Sequence, residues 1–110
     1  GSMLMHLGSL FTGGFNKKLK IKYILFNNNA HQSVGGQKTN AKNINFRLLA
    51  KSLGYKNFYK IEKKNEIKNK LKTFLSSSSS AFLEAKTNMN LNENLPRPKN
   101  LLKIKNNFIN

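Results

Sequence analysis

The sequence predicts an α/β protein: a partial doubly wound parallel sheet of three strands with flanking helices. Three observations predict it. Strand-length apolar runs at 19–26, 57–61 and 81–86 are separated by stretches of helical periodicity. Strands alternating with helices imply right-handed crossovers, and so parallel pairing. The first run ends in four successive apolar residues, Tyr23-Ile24-Leu25-Phe26, as a strand covered on both faces does.

The elements follow in order. Residues 3–13 place Leu4, Leu7, Leu10 and Phe11 at helical spacing. Ser2 stands where an N-cap belongs, and Gly13-Gly14 offer a stop. The first strand, 19–26, gives way to Asn27-Asn28-Asn29 and a polar loop over 27–43 that carries Gly35-Gly36. A loop of that length in a small domain is more often functional than idle. Residues 45–53 read as a short helix capped by Asn45 and ended by Gly54. Asn57–Ile61 reads as a strand. Lys63–Leu75 reads as an amphipathic helix with Ile67, Leu71, Phe74 and Leu75 inward. Ser76–Ser80 reads as a flexible connector, and Ala81–Lys86 as the last strand. The reading divides the chain into an α/β domain over 1–87 and an Asn/Lys-rich extended tail over 88–110, which contains Leu95-Pro96-Arg97-Pro98.

Composition narrows the function classes. The 110 residues carry a net charge of +16, from 20 Lys+Arg against 4 acids, with no cysteine. A chain of this length makes one domain, burying roughly two thirds of its unfolded surface. The acids are Glu62, Glu66, Glu84 and Glu93; aspartate is absent. Disulfides, thiolate metal sites and a cysteine nucleophile are excluded, and an all-protein cage for a hard cation lacks the carboxylates it needs. No stretch approaches the roughly 20 apolar residues of a membrane span, and the N-terminal residues lack the layout of a signal peptide. The expectation is a soluble, cytoplasmic protein.

The charge admits a second reading, a small basic nucleic-acid-binding protein, with Tyr55, Phe58 and Tyr59 among the lysines as stacking candidates. Against it, only Arg47 and Arg97 are arginines, the residue best suited to phosphates and guanines. Lysine and asparagine dominate instead, and their AT-rich codons explain the charge without a ligand. No nucleic-acid motif is present.

Three local features carry chemistry. Gly1-Ser2 precedes a helix, whose free N–H groups and partial positive charge suit a phosphate. Asn27-Asn28 end the first strand, and in parallel sheets ligands bind beyond the carboxyl ends of strands. Amide and backbone oxygens there suit Mg²⁺, a hard cation that bridges phosphates. His31 and Ser33-Val34-Gly35-Gly36-Gln37 follow, with glycines that let backbone approach a ligand closely. His31 is the imidazole of this group and a weak candidate for proton transfer.

Together these features resemble the C-terminal cofactor-binding domain of thiamine-diphosphate-dependent decarboxylases, most of all the phosphonopyruvate and sulfopyruvate decarboxylases. That family's signature is Gly-Asp-Gly, a spacer of about 25 residues, then Asn-Asn, which joins a helix-start diphosphate site to a metal. Gly1 is similar to its last glycine, Ser2–Leu10 to the following helix, and Asn27-Asn28 to the closing pair. The stretch Asn27–Gln37 resembles the family's loop. Leu49–Tyr55 and Leu95–Pro98 resemble later landmarks.

The resemblance implies a cofactor, thiamine diphosphate with Mg²⁺, and a 2-oxo acid substrate. It implies that Gly1, Ser2, Asn28, Ala30, His31, Ser33, Gly35 and Gly36 border the cofactor. The Asn28 side chain and the Ala30 carbonyl would be the metal ligands. It also implies a pyrimidine-binding domain or subunit that carries the catalytic glutamate, and homo-oligomer partners. The signature's aspartate would precede Gly1, and Asn29 and Pro96 stand where relatives often carry glycine. The expectation is a fragment or split subunit that does not turn over alone and that aggregates or partly unfolds in isolation.

Overall fold

A computed structural model of the chain describes residues 1–90 and 99–109. Its centre is a three-stranded parallel sheet in the order β1-β5-β4, with β1 Lys22–Asn27, β4 Asn57–Ile61 and β5 Ala81–Lys86. Two short strands, β2 Ala30–His31 and β3 Gln37–Lys38, pair antiparallel beside it. The helices are α1 Ser2–Met5, α2 Leu7–Phe15, α3 Phe46–Ser52, α4 Ile67–Ser76 and α5 Leu101–Ile109. The predicted α/β class, parallel pairing and order of the main elements are those observed, but the first strand, expected over 19–26, forms at Lys22–Asn27, and the loop expected over 27–43 holds β2, β3 and two short 3₁₀ turns. Among the described residues no helix is long and apolar enough to cross a membrane.

The topology explains the two cores. The connection from β1 to β4 passes over the place of β5, and the connection from β4 returns to fill it. Successive crossovers of one hand in opposite directions put their helices on opposite faces. Phe46, Ala50 and Leu53 of the α3 region accordingly pack with Phe82, while Phe74 of α4 packs with Ala81, Leu83 and Ile61. Adjacent side chains of β5 alternate between these cores, which is why Phe82 and Leu83 are both buried. An aromatic row crosses the α3 face, with Tyr23 and Phe58 stacked on Phe82 at centroid distances of 5.1 and 6.0 Å.

Several local expectations are corrected. Gly1, not Ser2, is the N-cap of α1, and no side chain caps it. The first helix runs in two pieces, broken at His6, where bonds from the His6 and Ser9 N–H groups reach back only three residues, to Met3 and His6. Gly13-Gly14 do not stop it, since α2 continues to Phe15. Gly14 serves close approach instead: a Cβ there would lie 1.9 Å from the Leu53 carbonyl oxygen. Gly54 does end α3 as expected, at φ +88°, and Asn45 does cap it, its side chain accepting from the Leu48 N–H.

Farther along, the 63–75 helix opens with a 3₁₀ turn at Lys64–Glu66 before α4 proper. Phe74 is fully buried and Leu71 partly so, but Ile67 and Leu75 are exposed, because α4 covers only β4 and β5. The serine run is tied rather than loose. The Lys22 ammonium donates to the Ser77 and Ser79 carbonyls, and the Asn57 amide donates to both hydroxyls at 2.8 Å. The tail expected to be extended forms α5 over 101–109; Leu95-Pro96-Arg97-Pro98 lies outside the described residues.

Candidate functional site

The first candidate site lies between the start of α1 and the carboxyl end of β1. The Leu4 and Met5 N–H groups donate back to the Gly1 carbonyl. The N–H groups of Ser2 and Met3, at the first two helical positions, have no intrahelical acceptor. The His31 ring lies directly over Gly1, where a Cβ would come within 1.6 Å of Cε1, so a side chain there would displace the ring.

Opposite the helix start, the turn after β1 is built from its own asparagines. Asn27 Oδ1 accepts from the Asn29 N–H and Asn28 Oδ1 from the Ala30 N–H, both at 3.1 Å. These side-chain turns force the chain around, with Asn29 in the left-handed region at φ 57°, which asparagine tolerates. The Thr39 N–H donates to the Asn29 carbonyl at 2.9 Å. Residues 29 and 39 are thus a hydrogen-bonded pair, and Ala30 opposite Lys38 is a non-bonded one. The Ala30 N–H and carbonyl therefore turn away from β3, toward the side where Asn28 Oδ1 sits.

Gly1, Ser2, Asn28, Ala30, His31 and Ser33 line one cavity of about 400 Å³, floored by β1 from Tyr23 to Phe26. Gly35 and Gly36 are not in its lining. They take φ values of +97° and +75° in the turn that leads to β3, where the Gly36 N–H donates to the His31 carbonyl at 2.9 Å. Sequence reasoning places Gln32 in the His31–Gln37 loop bordering the cofactor and substrate but gives it no role of its own. Its Oε1 accepts from Asn28 Nδ2 at 3.1 Å, and its own amide donates to the Met89 carbonyl at 2.7 Å. That bond turns Asn28 Oδ1 toward Ala30. An amide pair four residues apart after a strand was the available signal.

A magnesium diphosphate needs hard oxygen ligands and N–H donors. Two hard, neutral oxygens, Asn28 Oδ1 and the Ala30 carbonyl, share a side of the turn, and an amide oxygen with one N–H bond keeps a second lone pair. Ser2 and Met3, whose N–H groups lack an intrahelical acceptor, line the same cavity. The turn also carries an orphaned buried acceptor, Asn29 Oδ1. These groups fit in kind. The cavity lining lacks a carboxylate, and the described residues hold no cluster of three or more metal-ligating His, Cys, Asp or Glu side chains.

The aromatics offered for nucleic acid pack inward. Tyr55 is buried edge-on to Phe82 at 5.5 Å, Phe58 stacks on Phe82, and Tyr59 meets Phe74 edge-on at 6.0 Å.

Comparison with known proteins identifies the family. The family model described as "Thiamine pyrophosphate enzyme, C-terminal TPP binding domain" matches residues 1–85. Phosphonopyruvate decarboxylase of Streptomyces viridochromogenes is 27% identical over 99 residues, 90% of this chain and 25% of that protein. Sulfopyruvate decarboxylase subunit beta of Methanocaldococcus jannaschii is 34% identical over 88 residues, 79% of this chain and 46% of that protein. The chain thus spans between a quarter and about half the length of these relatives. No solved structure matches it. With a matching model over most of its length and that model's fold class in its sheet, the chain belongs to the thiamine pyrophosphate enzymes, as their C-terminal TPP-binding domain.

Proposed function

We propose that this domain anchors the diphosphate and Mg²⁺ of thiamine diphosphate in a decarboxylase that acts on a 2-oxo acid such as phosphonopyruvate or sulfopyruvate. The observation that carries the reading is the shared cavity, bordered on one side by Gly1 and Ser2 and on the other by Asn28 and Ala30. The names of both relatives favour a 2-oxo acid with a strongly anionic tail.

Each residue has a role in this reading. The Ser2 and Met3 N–H groups receive the diphosphate. Asn28 Oδ1 and the Ala30 carbonyl ligate the metal, and Gln32 fixes the rotamer of Asn28. Gly1 admits the His31 ring, which closes the cavity over the helix start. When bound, thiamine diphosphate supplies the electron sink that a 2-oxo acid needs to lose carbon dioxide. The protein's share is to hold it still and aimed.

A second domain or polypeptide supplies the pyrimidine-binding half and a carboxylate for the metal; one relative is itself named as a beta subunit. Ile24 and Phe26 lie on a stretch of sheet that α4 leaves uncovered, Phe26 at 71% exposure, and an assembly partner would cover them. The test is carbon dioxide release from phosphonopyruvate and from sulfopyruvate by the whole enzyme with Mg²⁺ and thiamine diphosphate. Turnover that falls in Asn28→Ala supports the proposal. Turnover of neither acid, or an unaffected Asn28→Ala, refutes it.

A further inference from the structure

A second cavity, of about 520 Å³, lies over the carboxyl ends of all three central strands and shares no lining residue with the first. Its origin can be followed row by row along the face that α3 covers. The row Tyr23–Phe82–Phe58 is aromatic core. The next row on that face is Leu25–Glu84–Lys60, and the last is Asn27 beside Lys86. A face covered by helices is normally apolar to its end. Here it turns polar at Glu84 of β5 and Lys60 of β4, and one row later at Asn27 of β1, and the segment from Ala41 to Arg47 roofs the resulting space.

The floor is fixed and the rim is charged. Glu84 is only 5% exposed, and its Oε1 accepts from Asn27 Nδ2 at 2.7 Å. Its second oxygen has no partner among the described residues yet is not an enclosed orphan, because Glu84 lines the cavity. Lys42, Arg47, Lys60 and Lys86 also line it; the Lys60 ammonium is paired with Glu62 at 2.6 Å, which leaves three cations to one carboxylate. The Arg47 guanidinium is held over the Phe58 ring at 5.4 Å, which presets its planar fork.

We propose that this cavity binds a phosphorylated small molecule of about sugar-phosphate size, its phosphate taken by Arg47 and the flanking lysines and a hydroxyl donating to Glu84. The excess of cations calls for an anion. The buried carboxylate calls for a donor on the same ligand. The volume, within the range of small-molecule pockets, exceeds what a bare oxyanion fills.

Amide-resolved NMR titration of the whole chain with inorganic phosphate and with ribose 5-phosphate tests this. Both probes should shift the Phe46, Arg47, Lys60 and Glu84 amides, the sugar phosphate at about tenfold lower concentration. Arg47→Gln with Lys60→Gln should weaken both by about tenfold or more, while Lys103→Gln with Lys105→Gln on exposed α5 changes neither. If the first pair does not fold, Lys42→Gln with Lys86→Gln, at exposed rim positions, replaces it with the same expectation. Equal weakening by the α5 pair marks a polycation without a site and overturns the proposal. So do a sugar phosphate that binds no tighter than phosphate, and shifts confined to Ser2 and Asn28.

Discussion

Asn27 donates its side-chain amide to Glu84 across 2.7 Å, joining the ends of β1 and β5 beneath the roof of the second cavity. The same Asn27 side chain accepts the Asn29 N–H and so begins the turn that carries Asn28 and Ala30. One residue thus ties the sheet to both candidate sites.

Replacing Asn27 with leucine should therefore do two things. It leaves a buried carboxylate without its donor, a loss of about 2–4 kcal/mol. It also frees the 28–30 turn. Urea unfolding should show a lower midpoint at unchanged slope, and Glu84→Gln in the same background should recover part of the loss.

Gly14 and Gly8 occupy one helix but should respond oppositely to alanine. At Gly14 the new methyl would meet the Leu53 carbonyl at 1.9 Å, and α2 must move off α3 at a cost of about 1–3 kcal/mol. Nothing lies within 4 Å of a Cβ at Gly8, so Gly8→Ala should stabilise by about 0.4–1 kcal/mol. Melting temperatures of the two variants decide between these outcomes.

Phe74 and Leu75 are neighbours with unequal roles. Phe74→Ala opens the core between α4 and the sheet and should lose about 3–5 kcal/mol. Leu75→Ala, at a residue 59% exposed, should stay within about 0.5 kcal/mol of the parent. Denaturant midpoints read both.

Glu66 gives the fold an acid dependence. Its carboxylate accepts from the Glu62 N–H at 2.9 Å and the Lys63 N–H at 3.1 Å, and pairs with the Lys70 ammonium at 2.9 Å. Led by the Glu62 N–H bond, these contacts lower its pKa from 4.5 to about 2. A carboxyl depressed on folding stabilises above its unfolded pKa and loses that contribution as pH falls toward the folded value. Thermal midpoints should therefore fall between pH 4.5 and about 2, and Glu66→Gln should fall less over that window.

The strands were legible because their apolar runs are short and separated; β4 and β5 begin and end where pattern alone places them. The glycines of α2 were misread because a glycine that permits close packing looks like one that ends a helix, and only the Leu53 carbonyl tells them apart. The inward set of α4 erred at Ile67 and Leu75 because periodicity gives a stripe but not the width of the sheet beneath it. In the first site, Asn28, Ala30 and Ser2 were singled out through a family likeness, and the fold brings them to one cavity. Gln32 was not, since its role arises from the fold of a loop rather than from any spacing. The second cavity was hidden because strand alternation appears only once Leu25, Glu84 and Lys60 are set in register.

In the proposed function the helix start and the Asn28 turn hold one magnesium-bound diphosphate. Titrating Mg²⁺ with thiamine diphosphate into the chain while following backbone amides tests it most directly. The account predicts Mg²⁺-dependent shifts at Ser2, Met3, Asn28, Ala30 and His31, abolished in Asn28→Ala. Shifts that ignore Mg²⁺, survive Asn28→Ala, or gather at Lys60 and Glu84 would contradict it.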